Sequence, residues 1–128
     1  MKSLLIIAHG SRRQASNDEV RSLTSRIASE SGAQFDIVQC AFLELAEPSI
    51  AEGIQQCVDK GATEIIVQPY FLSAGRHVSE DIPGEVDATR ERYPDVSIKI
   101  IPYLGAIDKI ADLMVKQAGE ALSLSAAE

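Results

Sequence analysis

The chain has 128 residues, enough for one domain with a real core. Twelve basic against 19 acidic residues leave a net charge of −7, which argues against a general nucleic-acid or anionic-membrane surface. No window approaches the ~18 consecutive apolar residues of a membrane span, and Met1-Lys2-Ser3 leads straight into an apolar run rather than a signal-peptide pattern. A cytoplasmic location is expected, with neither nucleic acid nor membrane as partner.

Residues 2–8 read as a first strand. Ser16 and Glu19 have capping-box spacing, and Val20, Leu23 and Ile27 recur at helical period until Gly32 stops the helix. Residues 35–42 read as the second strand. Pro48 near a helix start, an apolar face of Ile50, Ile54, Cys57 and Val58, and Lys60-Gly61 at the end define the second helix. Residues 63–68 form the third strand, followed by a loop carrying His77. A third helix over 80–92 stops before Pro94, its register blurred by Pro83 and Gly84. Residues 96–102 form the fourth strand, and Ile107, Ile110, Met114, Ala118 and Leu122 define the fourth helix. The tail from residue 123, ending Ser125-Ala126-Ala127-Glu128, is expected to fray.

Strands alternating with helices predict a single α/β domain over 1–128, flavodoxin-like, with a four-stranded parallel sheet and helices on both faces. There is also a weak internal echo. Phe42-Leu43 followed by Ile50-Ala51-Glu52 resembles Tyr103-Leu104 followed by Ile110-Ala111-Asp112, as if a βαβα unit were duplicated, although common helix patterning also produces such echoes. Cys40 and Cys57 make neither a CxxC redox motif nor a zinc knuckle, and read as buried, inert thiols.

The chain has two histidines, each just past an apolar run: Leu4-Leu5-Ile6-Ile7-Ala8 leads to His9, and Ile65-Ile66-Val67 leads through Pro69 to His77. In a parallel sheet the carboxyl ends of the strands open onto one edge, where ligands bind, so two distant imidazoles can meet there. Four of the six aromatic residues, Phe42, Tyr70, Phe71 and Tyr103, fall at the same edge, which predicts a broad cleft for a flat organic ligand. Glu44 and Glu47 follow the second strand, Glu80 and Asp81 follow His77, and Arg12, Arg13 and Arg76 flank the histidines. Imidazoles with a carboxylate suit Co, Ni, Fe or Zn in an open site, and guanidinium groups suit a substrate with several carboxylates. Each group also has a plain alternative: a histidine at a strand end is commonly a hydrogen-bonded loop residue, the rings commonly cap a core, and a carboxylate near a helix start is commonly a cap. For Glu47, just ahead of Pro48, capping is the preferred reading.

Three strings carry a resemblance: His9-Gly10-Ser11-Arg12, Phe42 through Ser49 (FLELAEPS), and Pro69 through Pro83 (PYFLSAGRHVSEDIP). Over nearly the whole chain the sequence resembles the class II tetrapyrrole chelatases, in particular the short CbiX and SirB type that inserts Co²⁺ or Fe²⁺ into sirohydrochlorin. The resemblance implies a parallel α/β sheet, His9 and His77 as metal-binding and catalytic histidines, and Glu44 as their acidic partner. Substrate contacts are expected from Ser11, Arg12, Arg13, Phe42, Tyr70, Phe71, Leu72, Gly75, Arg76 and Tyr103. The resemblance further implies a homodimer, as in the short members, and no permanently bound cofactor, with Co²⁺, Fe²⁺ or Ni²⁺ as a substrate. Ala8 stands where glycine is expected to be common in that family.

Two other functions compete. Histidine phosphatases also place a histidine after their first strand and before glycine, but they put arginine immediately ahead of it, where this chain has Ala8. A non-catalytic tetrapyrrole or metal carrier would use the same residues. The sequence does not choose the metal or the pathway that receives the product, because intrinsic affinities follow the Irving–Williams order whatever the working ion.

Overall fold

A computed structural model of the chain describes residues 1–127. Strand β1 (Lys2–Ala8) is followed by α1 (Gln14–Glu30), β2 (Ile37–Phe42), α2 (Ile50–Asp59) and β3 (Glu64–Pro69). A π-helical turn, His77–Asp81, runs directly into α3 (Ile82–Arg90). Strand β4 (Ser97–Ile100), a 3-10 turn (Leu104–Ala106) and α4 (Asp108–Ala127) complete the fold. The helix therefore continues through the tail segment where fraying is expected, and Glu128 lies outside the described residues.

The strands form one parallel sheet in the order β2-β1-β3-β4. Leu5, Ile6, Ile7 and Ala8 are all buried, as the unbroken apolar run of a central strand requires. Winding first toward β2 and then back toward β3 and β4 puts the crossover helices on opposite faces, since such connections are right-handed. Ile6, Ala8, Cys40 and Phe42 accordingly pack with Val20 and Ile27 of α1. Leu5, Ile7, Ala41, Ile65 and Val67 pack with Ile50, Ile54 and Cys57 of α2 and Ile82 and Val86 of α3 on the other face. The layered α/β architecture with helices on both faces is as expected. Both cysteines are buried and free, and burial pushes the Cys57 thiol up despite the Ser3 hydroxyl at 3.0 Å. Among the described residues no helix is long and apolar enough to cross a membrane.

Several boundaries differ from expectation. Helix α1 starts at Gln14 with Arg13 at its N-cap and no side-chain cap, so Ser16 and Glu19 lie inside the helix. The reason is Asn17: buried at the helix start, its amide brackets Ser11, accepting from Ser11 N at 2.9 Å and donating to Ser11 O at 2.8 Å, and so draws the helix forward. The capping box is on α2 instead, where Ser49 accepts from Glu52 N and Glu52 accepts from Ser49 N. Glu47 is not the cap; its carbonyl oxygen accepts from Arg21. Strand β2 begins at Ile37 because Asp36 binds Lys2 through both backbone and side chain instead of continuing the ladder. The loop expected at His77 is helical.

Substituting Ser49→Ala is expected to lower stability by about 1 kcal/mol through loss of this cap, readable in a denaturant titration. Ser49 N–H and hydroxyl also hold the exposed Glu52 carboxyl below its usual range. Glu52 therefore stabilises the fold above the ordinary carboxylate range, and this contribution fades as pH falls through its depressed value. The pH-dependent part should shrink but persist in Ser49→Ala, which keeps the backbone N–H donor.

Candidate functional site

Winding reverses between β1 and β3, and at such a switch point the loops diverge and leave a crevice past the carboxyl ends of the strands. His9 follows β1 directly, and His77 opens the π turn beyond β3. The crevice brings them together, with ring centroids 4.7 Å apart and planes inclined at 67°.

The hydrogen bonds define which nitrogen each ring presents. His9 Nδ1 lies 2.8 Å from the carbonyl oxygen of Gly10, which only accepts, so Nδ1 carries the proton. Nε2 then faces Glu44 Oε1 at 3.2 Å. A bare lone pair and a carboxylate at that distance repel unless a proton or another cation lies between them. His77 Nδ1 lies 2.8 Å from Asp81 Oδ2, so an ionised Asp81 fixes the same tautomer and leaves Nε2 free. The side chains of His9 and His77 are 40% and 43% exposed, half-open to incoming ligands.

Backbone contacts set this geometry. Glu44 N donates to His9 O at 3.0 Å and Leu43 N to Ala8 O at 2.9 Å, tying the two loops together beyond the sheet. Gly10, at φ +93°, passes so close that a Cβ would sit 1.8 Å from Glu44 O. Leu45, next to Glu44, is held at φ +65°, an uncommon conformation for a leucine. On the other side, Ile82 and Val86 are fully buried and anchor the helix that carries His77.

A cleft of about 340 Å³ opens beside His77, lined by Leu43, Glu44, Glu80, Asp81 and Glu85. Four carboxylates make its field attractive to cations. Among the described residues, no group of three His, Cys, Asp or Glu side chains is arranged as a ready-made metal cage. Burial, followed by the charge of Asp81, pushes the Glu85 carboxyl above its usual range. An acid raised on folding destabilises the fold when ionised, and this cost disappears as pH falls below the unfolded value. Glu85→Gln is thus expected to raise stability at pH 7, by less than about 1 kcal/mol given its exposure. Thermal melts should show the gain shrinking on acidification through the carboxylate range.

Other anticipated site residues are placed differently. Phe42 is fully buried against α1, with the Arg21 guanidinium 5.1 Å from its ring centroid, because it ends β2 as a core residue. Phe71 packs on the other core. Tyr70 turns toward α1 on the opposite face, lining a groove with Leu23 and Ile27. Tyr103 is partly buried ahead of the 3-10 turn. None of these rings lines the His77 cleft. Ser11 is a loop-fixing residue, engaged by Asn17 and by Arg13 N. Arg12 and Arg13 are exposed beside His9; Gly75, Leu72 and Arg76 are exposed before His77, with Arg76 Nε 3.6 Å from Glu80. Glu85 and the Asp81 tether were not singled out from sequence, yet His77, Asp81 and Glu85 fall at i, i+4 and i+8, the spacing of one helix face.

Fold and site define a doubly wound parallel α/β protein with paired, carboxylate-flanked imidazoles at its switch point. The chain belongs to the CbiX family, whose model matches residues 3–121. The sirohydrochlorin cobaltochelatase of Sulfolobus acidocaldarius is 32% identical over 124 residues, covering 97% of this chain and 95% of the relative. The sirohydrochlorin ferrochelatase of Priestia megaterium is 32% identical over 120 residues, 94% of this chain and 44% of the relative. This chain thus spans less than half of that enzyme, and 52% of the chloroplastic ferrochelatase of Arabidopsis thaliana. Among solved structures, the sirohydrochlorin chelatase SirB of Bacillus subtilis subspecies spizizenii in complex with cobalt matches with a TM-score of 0.79 and 29% identity, over 93% of this chain and 50% of SirB.

Proposed function

We propose that this protein inserts a divalent metal ion into sirohydrochlorin, with Co²⁺, Fe²⁺ or Ni²⁺ as substrate and no permanently bound cofactor. The observation that carries the reading is the pair of imidazoles 4.7 Å apart, each engaged at its Nδ1, with His9 Nε2 3.2 Å from Glu44. These are borderline ligands on an open sphere, suited to an ion that must arrive, shed water and leave. The names and metals of the relatives support it.

In this reading His9 and His77 hold the ion, and Glu44 completes the sphere or takes a proton. As two metal–nitrogen bonds form, two pyrrole N–H bonds break, and the protons pass to Glu44 and on to solvent. The acidic cleft repels a macrocycle carrying carboxylates, so sirohydrochlorin approaches from the rim of Arg12, Arg13 and Arg76, while the metal enters past Glu80 and Glu85. The protein acts in the cytoplasm, where two free thiols persist, and residues 1–128 serve as one chelatase domain that pairs as a homodimer to cover the macrocycle.

The test is anaerobic incubation with sirohydrochlorin and each metal in turn, following the macrocycle's absorption against a protein-free control. Acceleration supports a chelatase; binding without acceleration makes the protein a carrier and overturns the proposal. Glu44→Gln is expected to slow insertion about a hundredfold, the low end for losing a proton acceptor, with a smaller change in tetrapyrrole affinity. Glu47→Gln should barely alter the rate, and the reverse ranking would assign the acid role to Glu47.

A further inference from the structure

Half of one sheet face carries no helix. On the α1 side, Ile66 and Gln68 of β3 are only partly buried and Lys99 of β4 is exposed, whereas Ile65 and Val67, on the other face of β3, are fully buried. Parallel strands are ordinarily covered on both faces. Leu4, Ile6, Leu23, Ile27, Tyr70 and Leu104 line the groove left open, about 340 Å³ and largely apolar.

Helix α4 is unpartnered in a matching way. Its side chains from 111 to 124 are all exposed, and Met114 and Leu122 are 65% and 74% accessible. At 100° per residue, Lys109, Asp112, Lys116, Glu120 and Ser123 fall in a single polar stripe, leaving an arc over more than half the circumference that, up to Leu124, is apolar except for Gln117 and, at the first residue, Asp108. A helix with so wide an apolar arc belongs in a buried place.

The topology says which place. Rotation by half a turn about an axis along the strands, between β1 and β3, carries β1-α1-β2 onto β3-α3-β4. The same rotation carries α2 onto the empty position over β3 and β4 beside α1. The sequence echo makes the same equivalence, pairing Ile50 and Ile54 of α2 with Ile110 and Met114 of α4. Ile50 and Ile54 are fully buried; Met114 is not. The protein's own chain directs α4 elsewhere. Gly105 N donates to Phe71 O at 3.0 Å, and its α-carbon packs so tightly that a Cβ would lie 1.8 Å from Leu72 O. That clamps the 3-10 turn, and Ile107, extended at φ −83° and ψ 140°, sets the helix off from it.

We propose that the groove is filled by α4 of a second copy, the two protomers exchanging C-terminal helices about a two-fold axis. This rests on the homodimer reading above and adds the segment that makes the dimer. A 20-residue helix is ~30 Å long and ~10 Å wide, so two helices and two grooves bury on the order of 1,200 Å², within the range of stable interfaces. With α4 parallel to α1, Lys109 meets the end of the groove's rim bearing Asp18 and Glu19, and Glu120 the end bearing Arg26. Exchange of a terminal element is a low-cost route to a closed dimer.

The test uses the full chain carrying Met114→p-benzoylphenylalanine, mixed with ¹⁵N-labelled unsubstituted protein and irradiated, with cross-linked peptides mapped by mass spectrometry and mass followed by light scattering. The expected product joins two chains of different label, from position 114 to peptides around Leu23–Ile27 or Tyr70. In parallel, Met114→Glu should weaken the dimer at least tenfold, while Asp112→Asn, in the polar stripe, leaves it unchanged. A link to the same groove within one chain overturns exchange. So does a dimer linked at another surface, or one undiminished in Met114→Glu; both leave the homodimer reading standing. A monomer mass at micromolar concentration in a fully active preparation removes that reading and the exchange with it.

Discussion

Replacing either His9 or His77 by alanine is expected to lower the rate of metal insertion at least about a hundredfold, the scale lost with a positioned acid–base or metal-binding group. The fold should survive. Both side chains are partly exposed, and the hydrogen bonds lost, to Gly10 O and to Asp81, are made at the cleft and not in the core. With rings 4.7 Å apart, either truncation halves the nitrogen set at one point while the other imidazole keeps its tautomer. Insertion assays, with circular dichroism to confirm folding, read the effect; unimpaired turnover in either folded variant would sink the two-histidine site.

The second large effect is structural and reaches the same chemistry. Gly10→Ala places a methyl 1.8 Å from Glu44 O at a residue held at φ +93°. Left-handed strain of about 1–3 kcal/mol adds to overpacking of similar size. A loss of about 2–6 kcal/mol is therefore expected, and a melting temperature lower by roughly 8 °C or more. The obstacle is a backbone carbonyl, which moves only with its loop, so the fold's relief is to push the Glu44 segment away from His9. Insertion should fall even where the variant remains folded. A melting curve and rate equal to those of the parent would show that this close approach is dispensable.

What was legible in the sequence followed from periodicity and from backbone chemistry. The apolar runs of β1 and β3 marked central strands, and two central strands in a parallel sheet bring their carboxyl ends together, which is why the meeting of His9 and His77 could be anticipated. The helix starts were less legible. Ser16-x-x-Glu19 and Ser49-x-x-Glu52 have the same local spacing, but Asn17 bonds across the loop to Ser11 and overrides the first. Such a tertiary contact leaves no mark in a local window. Phe42 failed as a cleft residue for a related reason: an aromatic at a strand end points to core or cleft according to its register, and here Phe42, opposite Ala8, packs inward. The role of Asp81 was hidden because His77 was assigned to a loop, where an i, i+4 pair has no meaning.

The π turn at His77–Asp81 has a consequence for how this segment can vary. Ile82 N–H reaches back five residues to His77 O, so the turn holds one residue more than an α-helix would. That residue lets a single continuous helix serve two masters out of phase, with His77 turned to the cleft and Ile82, Val86 and Thr89 turned to the core. Deleting one residue here would give a more regular helix and swing the histidine by about 100° relative to its anchor. Core packing places no demand on the exposed Ser79 and Glu80 side chains, but it does fix the length. The spacing between the cleft and the core is thus what the packing fixes in this stretch, held against the ordinary geometry of the helix that contains it.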